Sequence, residues 1–231
     1  MFETAIVDGV LRLRRPETHW LSTGWDGGFE RAGVAYNIEV PEGWERTDLG
    51  SYIEERRERA GFSMVGPTLL TGVEMSHARG ARLGPVVAYA TAGVSNPAAL
   101  PMEPAEEEGT RTADFDVGTV NLLVGTTQCL DDAALANLLS VVVEAKTATL
   151  VAETGFPGTT TDAVVVGSDE TGKSATFSGS ATAVGSAARA CVREAVRASL
   201  DSRYAERKLP QSIADAEYGV VTDQRAAVFV P

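Results

Sequence analysis

The sequence predicts an α+β fold: a single domain in which a mixed, mostly antiparallel sheet is packed by two long helices, with a layered α/β sandwich as the alternative. Three observations carry this expectation. Residues 3 to 40 read almost entirely as strands, which argues against a regularly alternating parallel sheet. Two segments, 131–153 and 183–205, carry apolar residues at helical spacing. Around the first of them the chain reads as strand, helix, polar loop and strand, from Gly118 to Gly167.

The elements follow in order. Ala5 to Leu13 has a central Asp8-Gly9, a strong short hairpin signal. Trp20 to Gly24 and Gly33 to Val40 form a second expected strand pair, linked by the glycine-rich turn Gly24-Trp-Asp-Gly-Gly28 and ended by Pro41. Leu49 to Ala60, with Glu54, Glu55, Arg56, Arg57, Glu58 and Arg59, predicts a short exposed helix laced with local charge pairs. Pro67–Val73 and Gly84–Gly93 predict two further strands. Pro97–Asp116 turns acidic and proline-rich and is expected to be a mobile surface loop, residues 97–116.

Asp131 or Asp132 caps the first long helix. Its apolar residues wrap most of the circumference and leave one narrow polar stripe, Asn137, Ser140, Glu144 and Thr147. That stripe faces either water or a polar cavity. After Gly158-Thr-Thr-Thr comes a strand, Asp162–Gly167, then an expected turn at Asp169–Lys173 and a short strand at Ala175–Ser178. The second long helix has an apolar face from Val184 to Leu200, with Arg189, Arg193 and Arg197 expected on its solvated side. The tail, residues 206–231, carries expected short strands at Tyr218–Val221 and Ala226–Val230.

Composition narrows the function classes. The net charge of −12 argues against nucleic acid or an anionic membrane as partner. Scarce lysine (Lys146, Lys173 and Lys208) with abundant acid and alanine resembles the proteins of salt-loving archaea. No basic, apolar leader opens the chain and no apolar run approaches the ~20 residues of a bilayer span, so a cytoplasmic protein is expected. Cys129 and Cys191 are expected as free, buried thiols. With only His19 and His77, no multi-histidine metal centre is expected; a carboxylate-rich magnesium or calcium site stays open, and no metal site is assigned. A Ser-His-Asp triad would have to use one of those two histidines.

No phosphate loop, dinucleotide fingerprint or nucleophile elbow is present. The stronger constellation combines acid, amide and hydroxyl: Asp162, Glu144, Asn121, Ser95, Asn96, Asn37 and the run Thr159, Thr160, Thr161. A carboxylate can act as general base, an amide can stabilise an oxyanion, and a threonine hydroxyl can attack directly beside a base. The plainer reading of Asp162 and its threonines is a loop held by side-chain-to-backbone bonds.

Seven stretches in consistent order then resemble the adenosylcobinamide amidohydrolase family: Leu21-Ser-Thr-Gly-Trp-Asp-Gly-Gly28, Ala35-Tyr-Asn-Ile38, Thr91-Ala-Gly-Val-Ser-Asn96, Gly118-Thr-Val-Asn-Leu-Leu123, Glu144-Ala-Lys-Thr-Ala148, Gly158-Thr-Thr-Thr-Asp-Ala-Val-Val-Val166 and Ser178-Gly-Ser-Ala-Thr-Ala-Val-Gly185. The resemblance implies hydrolysis of the amide that joins aminopropanol to the corrin ring, giving adenosylcobyric acid for coenzyme B12 salvage. The corrinoid would be the substrate and no cofactor would be needed. On this reading Asp162 or Glu144 activates water and Thr161 and Asn121 orient the amide. Trp25, Asp26, Tyr36, Asn37, Ser95, Asn96, Thr159 and Thr160 contact the corrinoid. The rival chemistry uses a threonine of 159–161 as covalent nucleophile. The rival function is a corrinoid-binding or carrier protein without hydrolysis. Residues 1–231 are expected to be one amidohydrolase domain, and the oligomeric state is not indicated.

Overall fold

In the computed structural model the residues described are 1–41, 44, 46–103, 119–213, 215, 216 and 218–231. The chain begins with the expected hairpin. Strands β1 (Glu3–Val7) and β2 (Val10–Ser22) pair antiparallel about Asp8 and Gly9, whose φ values of 47° and 71° are the left-handed pair that a tight hairpin turn requires. β2 turns back into β3 (Gly28–Glu39) through the glycine-rich turn, and their register shifts between Arg14 and Thr18. This bulge bends β2, so that only its second half, from Thr18 to Ser22, pairs with strand β9 (Ala163–Ala175).

Helix α1 (Leu49–Arg59) is less exposed than its charge pattern suggests, because Tyr52, Ile53 and Arg57 are buried. β4 (Thr68–Thr71) follows and pairs parallel with β3. β5 (Arg79–Leu83), not foreseen from the sequence, makes a hairpin with β6 (Val86–Ala92). β7 (Ala98–Ala99) precedes β8 (Val120–Leu130), α2 (Asp132–Thr154), β9 (Ala163–Ala175), α3 (Ala183–Arg203) and β10 (Val220–Val221). β8, α2 and β9 are the expected strand, helix and strand, and the two strands pair parallel across the helix crossover. The main sheet has eight strands in the order β4-β3-β2-β9-β8-β6-β5, with β1 beside β2, and most of its pairings are antiparallel.

Alternation along the strands buries both faces of the sheet. Leu122 and Val124 of β8 and Val164 and Val166 of β9 pack with Leu135, Leu138, Val192 and Val196 of α2 and α3. Leu123 and Val165 point the other way and join Leu11, Leu13, Trp20, Ala35 and Leu69. Gly167 lets the Trp20 ring lie flat on the sheet, since a Cβ there would fall 2.3 Å from the indole. A third cluster, built from Val34, Tyr36, Ile38, Tyr52 and Ile53, seats α1. α2 is long and apolar enough to span a membrane by composition, yet half of its most apolar stretch is buried in the fold. Asp131 caps it by accepting from the Ala134 amide, and Thr182 caps α3 in the same way.

Three expectations are corrected. Asp169–Lys173 does not separate two strands: β9 continues through it, pairing with β2 at Asp169, bulging against β8 over 169–172 and resuming at Lys173 opposite Gln128. The polar residues of that stretch close a local side-chain turn, the Asp169 carboxylate accepting from the Thr171 amide and hydroxyl and from Arg15. The segment expected as a loop over 97–116 is ordered at its start: Ala98 and Ala99 pair parallel with Val220 and Val221, so the tail is tied back to the fold, while residues 104–116 of that segment lie outside the described residues. Ala226–Val230 forms no strand, and Val228, Phe229 and Val230 are exposed.

Asp169 is buried beside Arg15. Burial pushes its carboxyl up, but hydrogen bonds from Thr171 and Arg15 prevail and hold it below the usual range. A depressed carboxyl stabilises the fold above its unfolded pKa of about 4 and loses that contribution as pH falls through the folded value. The urea midpoint of the wild type is therefore expected to fall more steeply than that of Asp169→Asn as pH is lowered from about 5 to 3. Equal slopes would remove Asp169 from the acid response.

Candidate active site

The residues singled out by sequence divide into three places. The first is a buried polar network on the sheet face that carries Leu123 and Val165. Asn121 of β8 is fully buried; its amide nitrogen donates to Asn37 Oδ1 at 3.0 Å and to the Leu70 carbonyl at 2.8 Å. Its oxygen accepts from the Ala163 amide at 3.2 Å and lies 2.9 Å from the Thr119 hydroxyl. Asn37 of β3 donates to Thr91 of β6, whose hydroxyl donates to Thr71 of β4. β3 and β8 stand three strand spacings apart in the sheet order, about 14 Å if the sheet were flat. Direct contact between their side chains means that the sheet is rolled around this network. With every donor and acceptor of Asn121 engaged, the network specifies the roll rather than offering a free amide.

The second place is the loop before β9. Asp162 Oδ1 accepts from the Val120 amide at 2.9 Å and from the Thr159 hydroxyl, and Oδ2 accepts from Lys146 and from the Thr159 amide. Its side chain is 10% exposed and that of Lys146 8% exposed, so this is a buried ion pair with all four acceptor sites of the carboxylate filled. Gly158 permits the tight approach, since a Cβ there would stand 2.7 Å from Asp162 Oδ2. Thr160 accepts from the Asn96 amide nitrogen and returns its backbone N–H to the Asn96 carbonyl. Ser95 accepts from the Tyr218 amide through its carbonyl, which brings the tail to the same rim. Thr161 is exposed, and its carbonyl accepts from Thr119, joining this loop to the Asn121 network.

The third place is the turn after β2. Thr23 exchanges hydrogen bonds with the backbone of Val164, two residues beyond Asp162, and Trp25 bridges to Thr68 of β4. The turn therefore runs beside the start of β9. Asp26 is exposed there with φ 48°, and Trp25 lines a groove of about 490 Å³ against α1.

Two candidates sit elsewhere. Glu144 is exposed and pairs with Arg189 of α3 at 3.3 Å. It is two residues from Lys146, roughly 200° around the helix, so its polar stripe faces water rather than the Asp162 loop. Arg193 and Arg197 are likewise paired on the surface, as expected of a solvated face. Tyr36 is buried against Phe62, with its hydroxyl donating to the Met64 carbonyl, and so supports α1 instead of presenting a ring to a ligand. Burial holds the Tyr36 phenol above its usual value.

Sequence reasoning passed over Lys146. A lysine on the buried side of an apolar helix, in a chain with only three lysines, was the available signal. The histidines do not build a triad: His77 bonds Ser202 at 3.0 Å and ties the turn Met75–His77 to α3, while His19 is buried 3.7 Å from Asp132. Among the described residues no group of three metal-ligating side chains gathers. Cys191 is buried and Cys129 half-buried, both as free thiols.

A rolled, mostly antiparallel α+β sheet thus carries at its rim a hydroxyl–carboxylate–ammonium chain, Thr159–Asp162–Lys146. The sequence profile described as adenosylcobinamide amidohydrolase matches residues 4–208. The chain is 56% identical over 233 residues to the adenosylcobinamide amidohydrolase of Halobacterium salinarum, with each chain covered in full. It is 30% identical over 196 residues to that of Methanosarcina mazei, covering 79% of this chain and 90% of the other. The chain belongs to the adenosylcobinamide amidohydrolase family. A solved structure from Pyrococcus horikoshii OT3 overlaps with a TM-score of 0.47 and 11% identity, over 86% of this chain and 78% of that one.

Proposed function

We propose that this protein hydrolyses the amide linking aminopropanol to the corrin ring of adenosylcobinamide, releasing 1-aminopropan-2-ol and adenosylcobyric acid for coenzyme B12 salvage. Residues 1–231 act as one domain, and the work is done in the cytoplasm without a cofactor. Family membership supports the substrate. The observation that carries the chemistry is the Thr159 hydroxyl donating to the buried Asp162 carboxylate.

Asp162 has no acceptor site left for a water molecule, so the proton within its reach is that of Thr159. Thr159 Oγ attacks the amide carbon and its proton passes to Asp162. Asp162 then protonates the departing amine nitrogen as the C–N bond breaks, leaving an ester on Thr159. With Thr159 Oγ acylated, the Oδ1 site its hydroxyl had filled is open to a water molecule, which hydrolyses the ester as its proton returns to Thr159 Oγ by way of Asp162. Lys146 keeps the carboxylate oriented and Thr161, at the exposed edge of the loop, contacts the amide. Asn96 positions Thr160 and so sets the loop that carries Thr159.

Incubation with adenosylcobinamide is expected to yield the mass of adenosylcobyric acid together with free aminopropanol. A perturbed corrin absorbance without either product would instead identify a corrinoid carrier.

A further inference from the structure

Arg57 stands apart among the arginines of α1. Arg56 donates to the carbonyls of Asp8 and Glu39, and Arg59 pairs with the Asp8 carboxylate. Arg57 is only 9% exposed, yet no hydrogen bond or ion pair joins its guanidinium to a described residue, and its Nε is buried without a partner. The Nε atoms of Arg12, Arg15 and Arg56 are buried without a partner as well, so what sets Arg57 apart on α1 is that its terminal nitrogens bond no described residue although the side chain is nearly covered. Arg57 lines the 490 Å³ groove beside the Trp25 turn.

Two aromatic rings, Trp25 and Phe29, also line that groove and are 45% and 51% exposed. Asp26, Glu30 and Glu54 line it as well, and none of the three reaches Arg57. Burial, and after it the Asp26 charge, push the Glu30 carboxyl up. An anion entering the groove would satisfy Arg57 but meet three carboxylates. A cation would satisfy the carboxylates but meet a guanidinium. A neutral primary carboxamide answers both, since its oxygen accepts and its NH2 donates. A flat ring with apolar faces suits the exposed aromatics.

We infer that this groove is the corrin subsite: Arg57 donates to the carbonyl oxygen of a peripheral carboxamide of the corrin, the acids accept from carboxamide N–H groups, and Trp25 and Phe29 pack on the macrocycle. The inference rests on the proposed substrate. It also connects to the reacting loop through β4, which bridges Trp25 at Thr68 and, two residues on at Leu70, accepts from Asn121.

The test compares wild type, Arg57→Met, Arg57→Lys and Trp25→Ala. Cobinamide binding is read by equilibrium dialysis, and kcat and KM are measured with adenosylcobinamide. Arg57→Met is expected to raise Kd and KM by about ten- to a hundredfold while kcat changes less than about threefold. Arg57→Lys recovers part of the loss. The thermal midpoint of Arg57→Met stays level or rises, because no protein partner is stranded; a merely structural arginine would lower it. Trp25→Ala, at an exposed ring, weakens binding in the same sense and does not depend on how Arg57→Met folds. Unchanged Kd and KM in both Arg57→Met and Trp25→Ala, with hydrolysis intact in the wild type, would overturn the subsite and leave the proposed function standing. Arg57-dependent cobinamide binding without hydrolysis would overturn the function and leave the subsite. Competition by inorganic phosphate that vanishes in Arg57→Met would show an anion site and overturn the carboxamide assignment.

Discussion

Replacing Asp162 by asparagine is expected to lower kcat on adenosylcobinamide by about two to four orders of magnitude, the usual scale for loss of a positioned proton acceptor. It is also expected to destabilise the fold. The asparagine would keep an acceptor for the Val120 amide and the Thr159 hydroxyl, but would set an NH2 group against Lys146 and the Thr159 amide. Lys146 would then be a buried charge without its counter-ion, a loss of about 3–5 kcal/mol. Lys146→Met combined with Asp162→Asn separates the two effects. Removing both charges is expected to recover most of the stability, read from the urea midpoint, while turnover stays lost. Recovery of turnover along with stability would show that Asp162 acts only as the anchor of its loop, the plainer reading of its residue type.

Thr159→Val is expected to abolish turnover, by at least about a thousandfold, as removal of a covalent nucleophile does. The loss of stability should be smaller than for Asp162→Asn, about 1–3 kcal/mol for the donor that Asp162 loses. Valine is nearly isosteric with threonine, and Asp162 would retain Lys146, the Val120 amide and the backbone N–H of position 159, which any residue but proline supplies. Thr159→Ser keeps the hydroxyl and is expected to keep a measurable fraction of activity. Thr160→Val and Thr161→Val form the natural contrast. Thr160 is engaged by Asn96 and Thr161 is exposed, and neither hydroxyl is bonded to Asp162 by the contacts that hold Thr159 there.

How much of this was legible in the sequence follows from the range of the forces involved. The Asp8-Gly9 hairpin, the glycine turn at 24–28, the cap at Asp131 and the strand–helix–strand unit from Val120 to Ala175 are local, and local residue types specify them. β5 escaped notice because Arg79–Leu83 lacks an apolar alternation and becomes a strand only by pairing with β6. β7 needs a partner more than a hundred residues along the chain. The polar stretch at 169–173 reads as a turn in isolation, and Asp169 does turn locally onto Thr171, yet pairing with β2 up to Asp169 and with β8 from Lys173 onward carries one strand through it.

The site shows the same division. Residue types marked Asp162, Asn121 and the threonines correctly as polar groups in need of partners. They did not reveal that Asn121 and Asn37 satisfy each other across a rolled sheet, or that Glu144 turns to Arg189 and water. Lys146 was hidden by its neighbour: two adjacent-but-one positions of an apolar helix face opposite ways, and only packing says which side is the core. Arg57 lay within a run of charges that read as a solvated face, and its burial depends on where α1 lies over Tyr36 and Ile38.

The most direct test of the hydroxyl–carboxylate pair is kcat of Thr159→Val on adenosylcobinamide, measured as aminopropanol released per enzyme under saturating substrate. Turnover at or below about a thousandth of the wild-type value is the predicted result. Turnover within a few fold of wild type, from a variant that stays folded, would contradict it and return the first bond-forming step to water.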